Sequence, residues 1–177
     1  MGKLYFYYGT MGAGKTALAI NKAYEFKERG LETYVYTPKE IKADRLSSRC
    51  GSSVDVTTIG LDDICKNSVL IVDESQFLTQ EEVTTIRNLC TYNDVMSFCF
   101  GLLTTFQRKL FDGSKYLIEC ADTIREVTCM CEKCKKKAIR NYRISGENKL
   151  IVLAKEKYMS LCDFCYQECQ GAKVKSL

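Results

Sequence analysis

Gly9-Thr10-Met11-Gly12-Ala13-Gly14-Lys15-Thr16 satisfies every position of the pattern G-x-x-x-x-G-K-[ST], and the apolar run Leu4 to Tyr8 leads directly into it. The glycines let successive N–H groups meet phosphate oxygens, the lysine reaches the β- and γ-phosphates, and the last hydroxyl suits Mg²⁺. Leu18, Ala19, Ala23 and Phe26 then recur at helical spacing, predicting a helix over 17–29 whose N-terminus faces those phosphates. A chance glycine turn explains the string but not its flanks.

Two further groups of residues could do chemistry. Val69-Leu70-Ile71-Val72 reads as a buried strand that delivers Asp73 and Glu74 at its C-terminal end. Ligands of open parallel sheets bind at that end, and in phosphate-loop proteins an Asp placed there helps to hold Mg²⁺. Strand alternation sends the two acids to opposite sides, so one can serve the metal while the other meets a nucleophile. Without the phosphate loop, the pair would read as a solvated acidic turn. Cys131-Glu132-Lys133-Cys134 and Cys162-Asp163-Phe164-Cys165, with 27 residues between them, can close a four-thiolate Zn²⁺ site that leaves no position for substrate. Buried free thiols or a redox pair are the alternatives. Two knuckles favour a structural zinc, with Cys129 and Cys169 as substitute ligands, supplying folding energy to a segment that has little core.

These groups need elements to position them. Thr33 to Tyr36, Val54 to Ile59 and Met96 to Leu102 join Leu4 to Tyr8 and Val69 to Val72 as strand-like runs, with helical patterns at 17–29, 61–66 and 80–90 between them. Such alternation predicts an α/β fold, a phosphate-loop parallel sheet flanked by helices. Thr79-Gln80-Glu81-Glu82 reads as a capping box that starts the third helix. Seven of the eleven cysteines lie from Cys120 onward, where no long periodic helix is evident and the strand-like pieces Ala138 to Ile144 and Leu150 to Leu153 flank the turn Ser145 to Asn148. The expected division is a nucleotide-binding α/β domain over 1–125 and a small zinc-binding lobe over 126–177.

A chain of 177 residues can bury one substantial core. Its net charge of +4 is mild, and its basic residues are dispersed except at Lys133, Lys135, Lys136 and Lys137, so no nucleic-acid footprint is expected. No run is long enough to cross a bilayer or to form the core of a signal peptide, which points to a cytoplasmic protein without a membrane partner. There the thiols would be reduced, favouring metal ligation over disulfides.

The phosphate loop, Asp73-Glu74-Ser75-Gln76-Phe77, Thr105-Phe106-Gln107-Arg108-Lys109-Leu110-Phe111 and the two knuckles with Tyr158 before the second resemble, in order and interval, the type II (thymidine kinase 1-like) thymidine kinases. The resemblance covers nearly the whole chain. It implies ATP-dependent phosphorylation of the 5′-hydroxyl of thymidine in nucleotide salvage, with the choice between thymidine and deoxyuridine left open. It also implies a homotetramer, inhibition by thymidine triphosphate, and a C-terminal zinc lobe carrying a lasso loop over the nucleoside. Carried over by position, Gly9, Thr10, Met11, Gly12, Ala13, Gly14, Lys15 and Thr16 hold the phosphates of ATP. Asp73, Glu74, Ser75 and Gln76 complete the nucleotide site. Glu74 is the general base, Thr16 and Asp73 attend Mg²⁺, and Cys131, Cys134, Cys162 and Cys165 bind Zn²⁺. Met11, Phe77, Leu102 and Phe106 wall the base pocket, Lys149, Leu150, Ile151, Val152 and Leu153 form the lasso, and Tyr158 closes it. Arg108 is nominated as a catalytic cation beside Lys15, while Asp44-Arg45 and Ser48-Arg49-Cys50-Gly51 resemble a variable acid and arginine region near the phosphates.

The departures gather around the base: Leu103-Thr104 replaces an Asp-Gly pair, Ser75 stands where Ala or Gly is usual, and Leu110 where Pro is usual. A nucleic-acid-dependent ATPase with a zinc ribbon is the other class open to a chain with Asp73-Glu74 and paired knuckles. It would need a second motor domain and a basic stripe. A nucleotide-binding switch in which Glu74 has no acceptor is a third.

Overall fold

The structure is a computed structural model and describes residues 1–41, 43–57, 59–144 and 158–175, with the side chains of the last helix through 171. In chain order its elements are β1 (Leu4–Tyr8), α1 (Lys15–Glu28), β2 (Thr33–Tyr36), β3 (Arg45–Ser47), β4 (Ser53–Asp55), β5 (Val69–Val72), α2 (Gln80–Tyr92), β6 (Met96–Gly101), α3 (Asp112–Cys120), β7 (Thr123–Glu126), β8 (Arg140–Arg143), β9 (Tyr158–Leu161) and α4 (Asp163–Lys175).

Five strands in the order β2-β5-β6-β1-β7 form one sheet, and every neighbouring pair in it is parallel. All four residues of β5 are buried, as expected for a parallel strand covered on both faces. Its alternation divides the core. Val69 and Ile71 pack with Ala19, Ile20, Ala23 and Phe26 of α1, while Leu70 and Val72 pack with Val83, Ile86 and Leu89 of α2 and Leu117 of α3. The capping box forms in full: Glu82 N–H donates to Thr79 Oγ1, and Thr79 N–H donates to Glu82 Oε2.

Several expectations are corrected. The described residues of the run Val54 to Ile59 do not enter the main sheet: among them the strand is confined to Ser53–Asp55, paired antiparallel with β3 in a separate hairpin. Thr57 instead edges β2, its N–H donating to Val35 O and its Oγ1 accepting from Val35 N–H. The helical pattern over 61–66 shrinks to one 3₁₀ turn, Leu61–Asp63. The last third does contain a helix, α4, begun right after Cys162. Cys162, Cys165, Tyr166 and Cys169 fall at helical spacing and are all buried, so thiols form much of the apolar stripe that begins just before α4 and runs along it. Helix α3 was hidden by Gly113, which reads as a breaker. A Cβ there would lie 2.7 Å from the carbonyl oxygens of Leu78 and Ser75, so glycine lets α3 press against the turn Ser75–Phe77. The strand expected over Ala138 to Ile144 is β8, paired antiparallel with β9. The proposed turn Ser145 to Asn148 and the segment Lys149 to Leu153 lie outside the described residues.

Candidate functional site

The sheet register brings three strand ends together. Tyr8 of β1 pairs with Gly101 of β6, and Val72 of β5 pairs with Cys99 of β6, so the phosphate loop, Asp73-Glu74 and Leu102 emerge side by side. A cavity of about 290 Å³ opens there, lined by Met11, Lys15, Thr16, Arg49, Glu74 and Leu102 among others.

Gly12 and Gly14 take φ of 80° and 86°, the left-handed region in which glycine is unstrained, and α1 starts at Lys15. The first-turn N–H groups of a helix have no intrahelical acceptor and are available to phosphate oxygens. Lys15 Nζ donates to Gly9 O at 3.0 Å and Thr10 O at 2.9 Å. Burial lowers its pKa, against the attraction of Glu74 and Asp73. Thr16 Oγ1 donates to Asp73 Oδ2 at 2.9 Å. Thr16 lines the cavity, and its hydroxyl beside the Asp73 carboxylate offers hard oxygen donors of the kind that suit Mg²⁺.

Burial, and next the charge of Glu74, raises the pKa of Asp73 from 3.8 to about 6, although the Thr16 hydroxyl opposes the shift. A carboxyl whose folded pKa exceeds its unfolded value binds protons better when folded. Its contribution to stability is therefore complete below about 3.8 and is lost as pH rises through about 6. In metal-free protein, Asp73→Asn should flatten the fall in unfolding free energy between pH 5 and pH 7 and raise stability at pH 7. Denaturant titrations at the two pH values test this, and an unchanged slope would refute it.

Glu74 sits just past β5 with φ of 52°, a left-handed conformation that a glutamate adopts at a cost. Gln76 Nε2 donates to Glu74 Oε2 at 2.7 Å, and Gln76 Oε1 accepts from Leu102 N–H at 2.9 Å. Gln76 thereby ties the carboxylate to the next strand end and leaves Oε1 for another partner. The contact requires Gly101, where a Cβ would stand 2.8 Å from Gln76 Oε1 and 2.7 Å from Ser75 Oγ. Ser75 itself is fully buried.

Of the expected base-pocket residues, Met11 and Leu102 line the cavity, whereas Phe77, Phe106 and Tyr158 are not among its described lining residues. Phe106 and Tyr158 flank one guanidinium, with the Arg143 Cζ 5.1 Å and 6.0 Å from their ring centroids. Phe77 meets Phe111 edge-on at 5.7 Å. Arg108 has φ of 66° and its Cζ stands 5.8 Å from the Tyr166 ring centroid, away from the described cavity lining. The loop cation is instead Arg49: its Nη1 lies 3.5 Å from where a Cβ would stand on Gly12. Arg45 pairs with Asp55 at 3.3 Å on the exposed hairpin. Phe111, Arg143 and Asn141 were not singled out from the sequence. Arg143 carries only a faint signal there, a cation two residues from Asn141 on a short strand.

The sulfurs of Cys131, Cys134, Cys162 and Cys165 all lie within 4.8 Å of one another, and three of the four residues are buried. Four ligands at a Zn–S distance of about 2.3 Å would stand roughly 3.8 Å apart in a tetrahedron, so the donor set and its spacing fit zinc. Burial opposes ionisation of Cys131, but the backbone N–H groups of Cys162, Cys134 and Lys133 outweigh it and bring its pKa to about 6. Burial and the neighbouring thiols push Cys165 up to about 12. Cys129 is turned away, sharing a hydrogen bond with Thr10 Oγ1 at 3.0 Å, and Cys169 packs in the same buried cluster as Cys131, Cys162 and Cys165.

A sequence model of the family described as "TK: Thymidine kinase" matches residues 2–166. A thymidine kinase of Rhodopirellula baltica is 31% identical over 189 residues, covering 95% of this chain and 89% of the relative. One of Mannheimia succiniciproducens is 31% identical, covering 97% and 98%, and one of Photorhabdus laumondii is 33% identical, covering 95% and 94%.

Proposed function

The chain belongs to the thymidine kinase family, and from that premise we propose how its residues carry the reaction. It is a kinase that phosphorylates thymidine. The observation that carries the residue assignment is the meeting of Lys15, Glu74 and an apolar wall of Met11 and Leu102 in one cavity.

ATP is the phosphate donor. Its triphosphate lies on the first-turn N–H groups of α1, and Lys15 exchanges the carbonyls of Gly9 and Thr10 for the β- and γ-phosphate oxygens. Arg49 adds a second positive charge, and Arg108 would join them by leaving Tyr166. Thr16 and Asp73 would hold Mg²⁺, which when bound neutralises charge between the β- and γ-phosphates. Glu74 Oε1 takes the proton of the thymidine 5′-hydroxyl as that oxygen attacks the γ-phosphorus, and the bond to the β–γ bridging oxygen breaks to release ADP. Gln76 supports this role by fixing the carboxylate through its other oxygen. Phosphoryl transfer asks for little beyond such positioning and charge.

Residues 1–125 serve as the nucleotide domain and 126–177 as a lobe held by structural zinc. The protein works as a cytoplasmic homotetramer, in keeping with the family resemblance. Among the described residues no helix is long and apolar enough to cross a membrane.

Phe106 and Tyr158, gathered around Arg143, flank the base. Phe106→Ala and Tyr158→Ala should therefore raise the KM for thymidine about tenfold or more while moving the KM for ATP far less, since ring packing of this kind is worth on the order of 1 kcal/mol beyond its buried area. Equal changes in both constants would place the base elsewhere. A coupled ADP-release assay with thymidine, deoxyuridine or single-stranded DNA tests the function itself. Stimulation by DNA and not by thymidine would replace this reading with a nucleic-acid-dependent ATPase.

A further inference from the structure

The phosphate loop is gripped by residues more than a hundred positions away. Asn141 of β8 and Ser160 of β9 are direct cross-strand partners, and they are only 5% and 3% exposed. Both side chains close on one residue of the loop: Met11 N–H donates to Asn141 Oδ1 at 2.8 Å, and Ser160 Oγ donates to Met11 O. The grip is anchored behind. Ser160 N–H donates to Glu132 Oε1 at 2.7 Å, Glu132 N–H donates to Ser160 O at 3.0 Å, and Glu132 lies between Cys131 and Cys134. Asn141 Nδ2 reaches Thr104 O at 3.5 Å, touching the segment between Leu102 and Phe106.

We propose that Asn141 and Ser160 are positioning residues for the kinase reaction, a two-sided clamp on the Met11 backbone. Neither needs to touch substrate. With its N–H and C=O both taken, Met11 cannot turn either group toward phosphate, and the stretch from Gly12 to Thr16 is left to bind the triphosphate. The two left-handed glycines that shape this stretch also leave it free to move, so a fixed point at its start limits the arrangements it can adopt. The same fixed point directs Met11 into the cavity shared with Leu102 and Glu74.

The proposal rests on the kinase reading for its kinetic arm, whereas backbone exchange needs no substrate, so the two can fail separately. Zinc-loaded wild type, Asn141→Leu and Ser160→Ala should be compared by hydrogen–deuterium exchange and by steady-state kinetics. Ser160→Ala removes only one oxygen and guards against loss of folding in the bulkier change. Both variants should speed exchange in a peptide spanning 9–16 severalfold, with exchange in β5 unaltered. The KM for ATP should rise about tenfold, the equivalent of one lost buried hydrogen bond, while kcat at saturating ATP stays within about threefold. Unchanged loop exchange in both variants, equal acceleration in loop and β5, or faster loop exchange with an unaltered KM for ATP would each overturn the clamp.

Discussion

Glu74→Gln should reduce turnover by about 10² to 10⁴ while leaving ATP binding and the fold in place. Glutamine matches glutamate in size and can keep the bond to Gln76 by presenting its amide oxygen to Gln76 Nε2, where Glu74 Oε2 now sits. That choice points the amide NH₂ at the position of the free carboxylate oxygen. The 5′-hydroxyl then meets a donor and has no acceptor for its proton. Titration of ATP by a fluorescent analogue, alongside single-turnover measurement of phosphoryl transfer, separates the two effects. Turnover within a few-fold of wild type would refute the assignment of Glu74 as the base.

The second large effect belongs to the cysteine cluster. Elemental analysis should find one Zn²⁺ per chain, and the pair Cys131→Ser with Cys162→Ser should lose it. The buried cluster around these thiols contains Tyr142, Leu161 and Tyr166 and little other apolar mass. Structural zinc contributes on the order of 10 kcal/mol to small domains of this kind, at least as much as three such side chains at about 2 to 3 kcal/mol each, so its loss removes a large part of what holds the lobe. The double variant should therefore be cut by protease in β8, β9 and α4 under conditions that spare the parallel sheet. Freshly purified wild-type protein without zinc would defeat the idea.

The parts of the chain that were legible in sequence are those where local chemistry and global role coincide. The phosphate loop needs glycines at fixed places, β5 needs four consecutive apolar residues, and α2 announces itself with a capping box. Helix α4 was missed because its stripe is built largely from thiols, whose spacing reads as that of a metal knuckle before it reads as a helix face. Strand β7 is a mostly exposed edge with no apolar alternation to detect. Spatial neighbours distant in sequence left an uneven trace: the family resemblance set Arg49 near the phosphates and Phe106 and Tyr158 in one pocket, but nothing in the sequence signals that Arg143 meets both of those rings. Spacing can report a periodic face or a ligand pair, but not which loop folds over which.

Lys15, Asp73 and Glu74, each proposed to take part in the reaction, are hydrogen-bonded to neighbours in their own chain. Lys15 rests on two carbonyls of its own loop, Asp73 on the Thr16 hydroxyl, and one oxygen of Glu74 on Gln76. On the kinase reading we propose, an incoming triphosphate would replace the carbonyls under Lys15 with stronger acceptors. Binding would then exchange one set of hydrogen bonds for another and would not have to order a loose side chain.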